Sequence, residues 1–180
     1  MKHYARLFVA APLPETVVSA LQHYLPGFEV PGVRIVPEEN WHLTLHFIGN
    51  VPHNQVPEIS AKLSEIAAGF NPFQLKLLRV SPGPNKKTPR LVWAQFAEDK
   101  SFEKLVRATT LALGAKVQNQ HPIPHVTLAR LSKENPPRNL PVLAATENLT
   151  LEVKELALWE SELRQPHPRY SVLQQFPLGI

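Results

Sequence analysis

Nineteen prolines are spread through this 180-residue chain, about twice the usual frequency. Proline fixes φ and lacks a backbone N–H, so it breaks a helix interior. Its spacing here keeps every element short and argues against a helical bundle or a coiled coil. Disorder does not follow, because 43% of the residues are hydrophobic and the prolines punctuate patterned sequence.

Between the prolines, apolar and β-forming runs predict strands at residues 6–10, 33–36, 42–48, 73–80, 90–96, 125–131, 149–158 and 170–176. Helical periodicity predicts helices over 14–25, with Val17, Ala20, Leu21 and Tyr24 on one face, and over 55–68, with Ile59, Leu63 and Ile66 inward. A third helix is predicted over 101–113, with Ser101 as its cap and Gly114 at its stop. Gly49-Asn50 closes the strand at 42–48, and 81–89 reads as a loop. Several neighbouring strands are joined by loops too short for a crossover helix, which predicts an α+β fold of mainly antiparallel sheet. At this length the chain is one domain, residues 1–180.

Composition removes several chemistries. There is no cysteine, hence no disulfide, thiolate metal site or cysteine nucleophile. The formal charge of +4 permits an anionic partner without requiring one, and no basic run exceeds Lys86-Lys87. The apolar stretch Leu7–Ala11 is too short for a signal peptide and is interrupted by Pro12, Pro14 and Glu15. No apolar run approaches a membrane span. The cytoplasm is the expected compartment.

One short pattern occurs twice: His42-Leu43-Thr44-Leu45 and His125-Val126-Thr127-Leu128. The copies lie in opposite halves of the chain, both in predicted strands and both after proline-containing segments. In a strand, residues i and i+2 share a face, so each copy sets one imidazole beside one hydroxyl while its neighbours point into a core. A pseudo-twofold relation between two lobes would bring both pairs to one cleft. Such a set suits a phosphodiester. One imidazole serves as base and the other as acid, and the hydroxyls donate to non-bridging oxygens.

Other readings fit less well. His42 and His46 share the i, i+4 spacing of a zinc-protease helix, but position 43 is leucine, not glutamate. On a strand they would share a face about 13 Å apart, too far for one ion. His46 is then a rim or partly buried polar residue. There is no nucleophile-elbow serine motif, Walker loop or dinucleotide fingerprint.

With these residues in view, the sequence resembles the two-histidine (2H) phosphoesterase superfamily. Within it, the likeness is to the RNA 2′,3′-cyclic phosphodiesterase family, also called 2′-5′ RNA ligase. The likeness runs from Arg6-Leu7-Phe8-Val9-Ala10 through Asn40–Gly49, Leu91-Val92-Trp93 and Pro124–Arg130 to Glu160–Leu163 and Pro168–Leu178. It implies a bilobal fold with a cleft between two antiparallel sheets. It implies hydrolysis of 2′,3′-cyclic phosphate ends of RNA, or of cyclic nucleotides, to 2′-phosphomonoesters, and a weak reversible 2′-5′ joining of RNA ends. Neither ATP nor metal is implied as a cofactor. By that likeness His42 is the general acid, His125 the general base, and Thr44 and Thr127 hold the phosphate.

The resemblance also places Arg130 and Phe47 at the substrate. Each lies five residues after its histidine, so strict alternation would turn it to the opposite face; a bulge near residues 129–130 would reconcile the two. Arg6, Lys86, Lys87, Arg90, Trp93 and Tyr170 are outer candidates for an RNA path, with Trp93 and Tyr170 better read as core or cleft wall. A monomer is the expected state. Two alternatives stay open: a small-nucleotide phosphodiesterase of the same superfamily, and a catalytically silent RNA-binding module.

Overall fold

A computed structural model of the chain describes residues 4–146 and 148–179. Its elements are β1 (Tyr4–Pro12), α1 (Glu15–Gln22), β2 (Val33–Ile35), β3 (His42–Pro52), α2 (Val56–Ala68), β4 (Phe73–Gly83), β5 (Leu91–Phe96), α3 (Lys100–Ala112), β6 (His125–Leu131), β7 (Leu143–Ala144), β8 (Thr150–Val153), β9 (Glu155–Glu162) and β10 (Arg169–Pro177). The fold is α+β, and the strand pairings are antiparallel.

The strands follow one path, β10-β9-β1-β3-β6-β5-β4-β7, with β2 beside β6 and β8 beside β4. The path has two halves. One is β10-β9-β1-β3 and the other β6-β5-β4-β7 with β2 and β8. They meet at a single residue pair, Leu43 opposite Val126. The two sheets that the resemblance implies are thus halves of one path, pinned at the centre of the repeated motif.

Alternating apolar residues drive one face of this sheet into the main core. Leu7, Val9, Leu43, Leu45, Val126 and Leu128 pack there with Val17 and Leu21 of α1, Ile59 and Leu63 of α2, and Phe102 and Leu105 of α3. Each such side chain contributes roughly 1.5–3 kcal/mol by leaving water. The opposite face of the first half carries a small aromatic cluster of Phe8, Ala10, Ala157 and Trp159, with Tyr170 against it.

Several local readings of the sequence are corrected. Asp99, not Ser101, caps α3: its Oδ1 accepts from the backbone N–H of Ser101 at 2.8 Å and of Phe102 at 2.9 Å. Asp99 has the extended backbone a cap requires, and its charge complements the helix dipole. The run 149–158 is two strands, because β8 pairs with β4 and β9 with β1; the chain changes halves at Lys154. β4 continues through Pro82 to Gly83, since β7 covers only Arg79 and Val80 on its far side and proline is tolerated on an uncovered edge.

Register slips decide which side chains face the cleft. Against β1, β3 gains an extra residue at Leu45 and again at Ile48. Against β5, β6 gains one at Leu128. Each bulge reverses the alternation beyond it. Gly49, at φ +91°, follows the second slip in β3, where a side chain would be strained. β3 therefore runs past Gly49-Asn50 to Pro52 rather than stopping there.

Candidate active site

The Leu43–Val126 pair places the motifs. Both residues are fully buried, so their strand neighbours turn the other way. Extending the antiparallel register by one residue sets His42 opposite Thr127 and Thr44 opposite His125. Strand spacing and rise put the two histidine Cα atoms about 8 Å apart across the diagonal, a gap that one phosphodiester can fill.

The two imidazoles are held alike. His42 Nδ1 lies 2.7 Å from the Asn40 carbonyl oxygen, and His125 Nδ1 lies 2.8 Å from that of Ile123. A carbonyl only accepts, so each neutral ring donates through Nδ1–H and keeps its lone pair on Nε2. Aromatic rings set the planes. Phe8 lies 4.8 Å from His42, with Tyr170 at 5.5 Å and Trp159 at 5.6 Å. On the other half Trp93 lies 4.8 Å from His125. Behind Trp93 is Gly83, where an added Cβ would come within 2.6 Å of the indole.

Both histidines are shifted down. Burial lowers His42 to about 4; the Asn40 carbonyl partly offsets this, and the charges of His125 and Arg130 add to it. Burial also lowers His125, against the opposing effect of the Ile123 carbonyl. The dominant cause is the same in both, a charged ring denied water. At neutral pH both imidazoles are uncharged.

A cavity of about 440 Å³ opens over this face, and its wall includes His42, Thr44, Phe47, Thr127 and Arg130. Arg130 and Phe47 reach it because of the bulges at Leu128 and Leu45. The Leu45 bulge also corrects the reading of His46. It leaves the face of His42 and turns to α3, where its Nδ1 lies 3.3 Å from Thr110 Oγ1. That hydroxyl donates to Val106 O, so it accepts from His46. His125 is not in the cavity wall; it stands beyond Thr44 against Trp93.

Of the outer candidates, Arg6 and Tyr170 line the cavity, whereas Lys86, Lys87, Arg90 and Trp93 do not. Phe47 is 52% exposed, and the Arg6 guanidinium sits 5.1 Å above its ring. Sequence reasoning missed Arg34, Asn40, Ser161 and His167 in the wall. Asn40 precedes the first motif by two residues, is buried, and donates from Nδ2 to Pro168 O at 2.8 Å. Arg34 is recognisable only once β2 is paired with β6. Among the described residues no carboxylate lines the cavity. Among the described residues no group of three or more histidines or acids is placed to hold a metal.

The arrangement sets two imidazoles and two hydroxyls on one sheet face, with several guanidiniums around the cavity. Comparisons with known proteins point the same way. A profile described as LigT like Phosphoesterase matches residues 8–93 and 98–170. A Thermus thermophilus protein named RNA 2′,3′-cyclic phosphodiesterase is 37% identical, over 96% of this chain and 90% of its own. A Geobacillus stearothermophilus protein of the same name is 27% identical over 98% of this chain, which spans 57% of that longer relative. Among solved structures, TT0787 of Thermus thermophilus superposes with a TM-score of 0.84 at 31% identity, covering 96% of this chain and 97% of that one. Apo LigT of E. coli shares the fold, with a TM-score of 0.80 at 24% identity over 99% and 100% of the two chains.

Proposed function

This chain belongs to the LigT-like phosphoesterase family, and on that premise we propose that it hydrolyses RNA 2′,3′-cyclic phosphate ends to 2′-phosphomonoesters. The observation that carries the reading is the pair of His–Thr couples on one sheet face, each imidazole presenting Nε2. The relatives' shared name supports it.

In the proposed reaction Thr44 and Thr127 donate to the non-bridging oxygens and Arg130 supports the same charge. Nε2 of His125 takes a proton from water as the oxygen attacks phosphorus. Nε2–H of His42 protonates the departing 3′ oxygen, so the P–O3′ bond breaks and the phosphate stays on O2′. Substitution of a 5′-hydroxyl for water gives a 2′-5′ linkage, and the reverse step cleaves it.

His42 must carry a proton for this role, although burial holds it near 4. A phosphodiester supplies the correction. One negative charge about 4 Å away is worth about 4 kcal/mol at an effective dielectric of about 20. That is about three pKa units, enough to raise His42 back into the ordinary imidazole range. Substrate thus loads the acid that cleaves it.

A free 2′,3′-cyclic nucleotide is the second reading, favoured by a cavity of about 440 Å³, a size that suits one small ligand. In our reading the 180 residues act as one bilobal monomer in the cytoplasm, without cofactor. Among the described residues no helix is long and apolar enough to cross a membrane. The test is product analysis on RNA ending in a 2′,3′-cyclic phosphate. A 2′-phosphate is expected. A 3′-phosphate reverses the two histidine roles, and an unchanged end sinks the proposal.

A further inference from the structure

Arg34 of β2 lies directly opposite Arg130 of β6, and both line the cavity. Like charges directly opposed weaken a sheet, and among the described residues the cavity wall supplies no carboxylate to relieve them. Arg34 has a neutral hydrogen-bond partner, the Pro166 carbonyl at 3.3 Å in the β9–β10 hairpin. The charges also have an order. Arg130 is near enough to His42 to disfavour its protonation, while Arg34 is one strand farther out, at the exposed rim.

A cyclic phosphate has one negative charge. The proposed chemistry answers it with two hydroxyls, a protonated His42 and Arg130, and Arg6 lies over the Phe47 ring, so Arg34 is left over. The β2–β6 spacing is about 5 Å, and an arginine fork matches phosphate oxygens in a bidentate geometry. We propose that Arg34, standing beside Arg130, forms a second phosphate subsite. It takes the phosphodiester on the 5′ side of the terminal nucleotide, and so prefers the end of an RNA chain to a free cyclic nucleotide. This rests on the phosphodiesterase reading for what occupies the first subsite.

Two product-like probes test it without turnover. Adenosine 2′-monophosphate offers one phosphate, and adenosine 2′,5′-bisphosphate adds one on the 5′ side. Calorimetry on the wild type is expected to show the bisphosphate bound about tenfold tighter. Arg34→Gln is expected to abolish that advantage, and Arg34→Lys to keep part of it. Arg34 is exposed, so neither change threatens the fold, which thermal melting checks. In kinetics, Arg34→Gln is expected to lower about tenfold the preference for a dinucleotide ending in cyclic phosphate over the cyclic mononucleotide, through KM, and to flatten the salt dependence by about one ion.

Equal affinity of the wild type for both probes overturns the proposal. So does a variant that weakens both probes by the same factor, since Arg34 would then serve the reacting phosphate. Failure of the wild type to hydrolyse either substrate refutes the phosphodiesterase reading instead, and leaves the difference between the probes to be read separately.

Discussion

Gly83→Ala is expected to damage catalysis far more than stability. The added Cβ would lie 2.6 Å from Cε2 and Nε1 of Trp93 and 3.0 Å from Cζ2, where about 3.5–4.0 Å is normal. The rigid indole must then recede by about 1 Å. Ser81 of β4 lies on one side of Trp93 in register and Thr127 of β6 on the other. Retreat from β4 is therefore movement toward β6 and His125. Overpacking of this kind costs about 1–3 kcal/mol, or a fall in Tm of about 3–9 °C for a chain of this size. A protein with ordinary stability stays folded at 25 °C after such a loss. Displacing a reacting group by 1 Å, however, costs about a hundredfold in rate. The assay is kcat on a 2′,3′-cyclic nucleotide at 25 °C, with folding verified by circular dichroism. Trp93→Phe shrinks the ring, so adding Gly83→Ala in that background should do little further harm. Wild-type kcat in Gly83→Ala, or equal damage with and without the indole, would refute the coupling.

Three other outcomes are expected. His42→Ala and His125→Ala should each lower kcat at least a hundredfold while leaving the melting transition cooperative; near-wild-type turnover by either rules out the paired-histidine mechanism. Stability should fall with acid through His42. The unfolded ring titrates near 6.5 and the folded one at about 4, so the unfolded chain takes the proton first. Up to about 3 kcal/mol is present above about pH 7 and lost between about pH 6.5 and 4. Urea titrations in that window should show the loss, and His42→Phe should flatten it. Asn40→Ala removes the hydrogen bond to Pro168 O but keeps the carbonyl that orients His42. It should cost about 1 kcal/mol and raise KM rather than lower kcat, because it frees the hairpin and not the imidazole; a fall confined to kcat counts against this.

The motif residues are legible because strand alternation is a local rule. His42 and Thr44 sit before the first bulge, as do His125 and Thr127 before theirs, so a period of two places all four. Beyond Leu45 and Leu128 the rule fails. Alternation sets His46 on the face of His42, yet it turns to Thr110 of α3, while Phe47 and Arg130 need an extra residue to reach the cleft. A bulge is a relation between two strands, and one strand's sequence carries little sign of it. Arg34 is illegible for the same reason, since its meaning comes from facing Arg130. The break at Lys154 likewise reflects where the flanking strands find partners. The aromatic support of His42 joins Phe8 to Trp159 and Tyr170, residues brought together only by the β1–β9 and β9–β10 pairings.

The order in which the strands are used bears on how the protein comes into being. β4 to β8 are continuous in sequence, so most of one half can assemble while synthesis proceeds. The other half joins β1 and β3 to β9 and β10, a pairing that spans most of the chain and closes slowly. Until residues 155–177 emerge, β1 has an open edge beside β3 and His42 lacks two of its three aromatic neighbours. A nascent chain can thus hold both motifs without a finished acid site. Its uncovered strand edge invites association with other chains, and the step that buries this edge also completes the surroundings of His42.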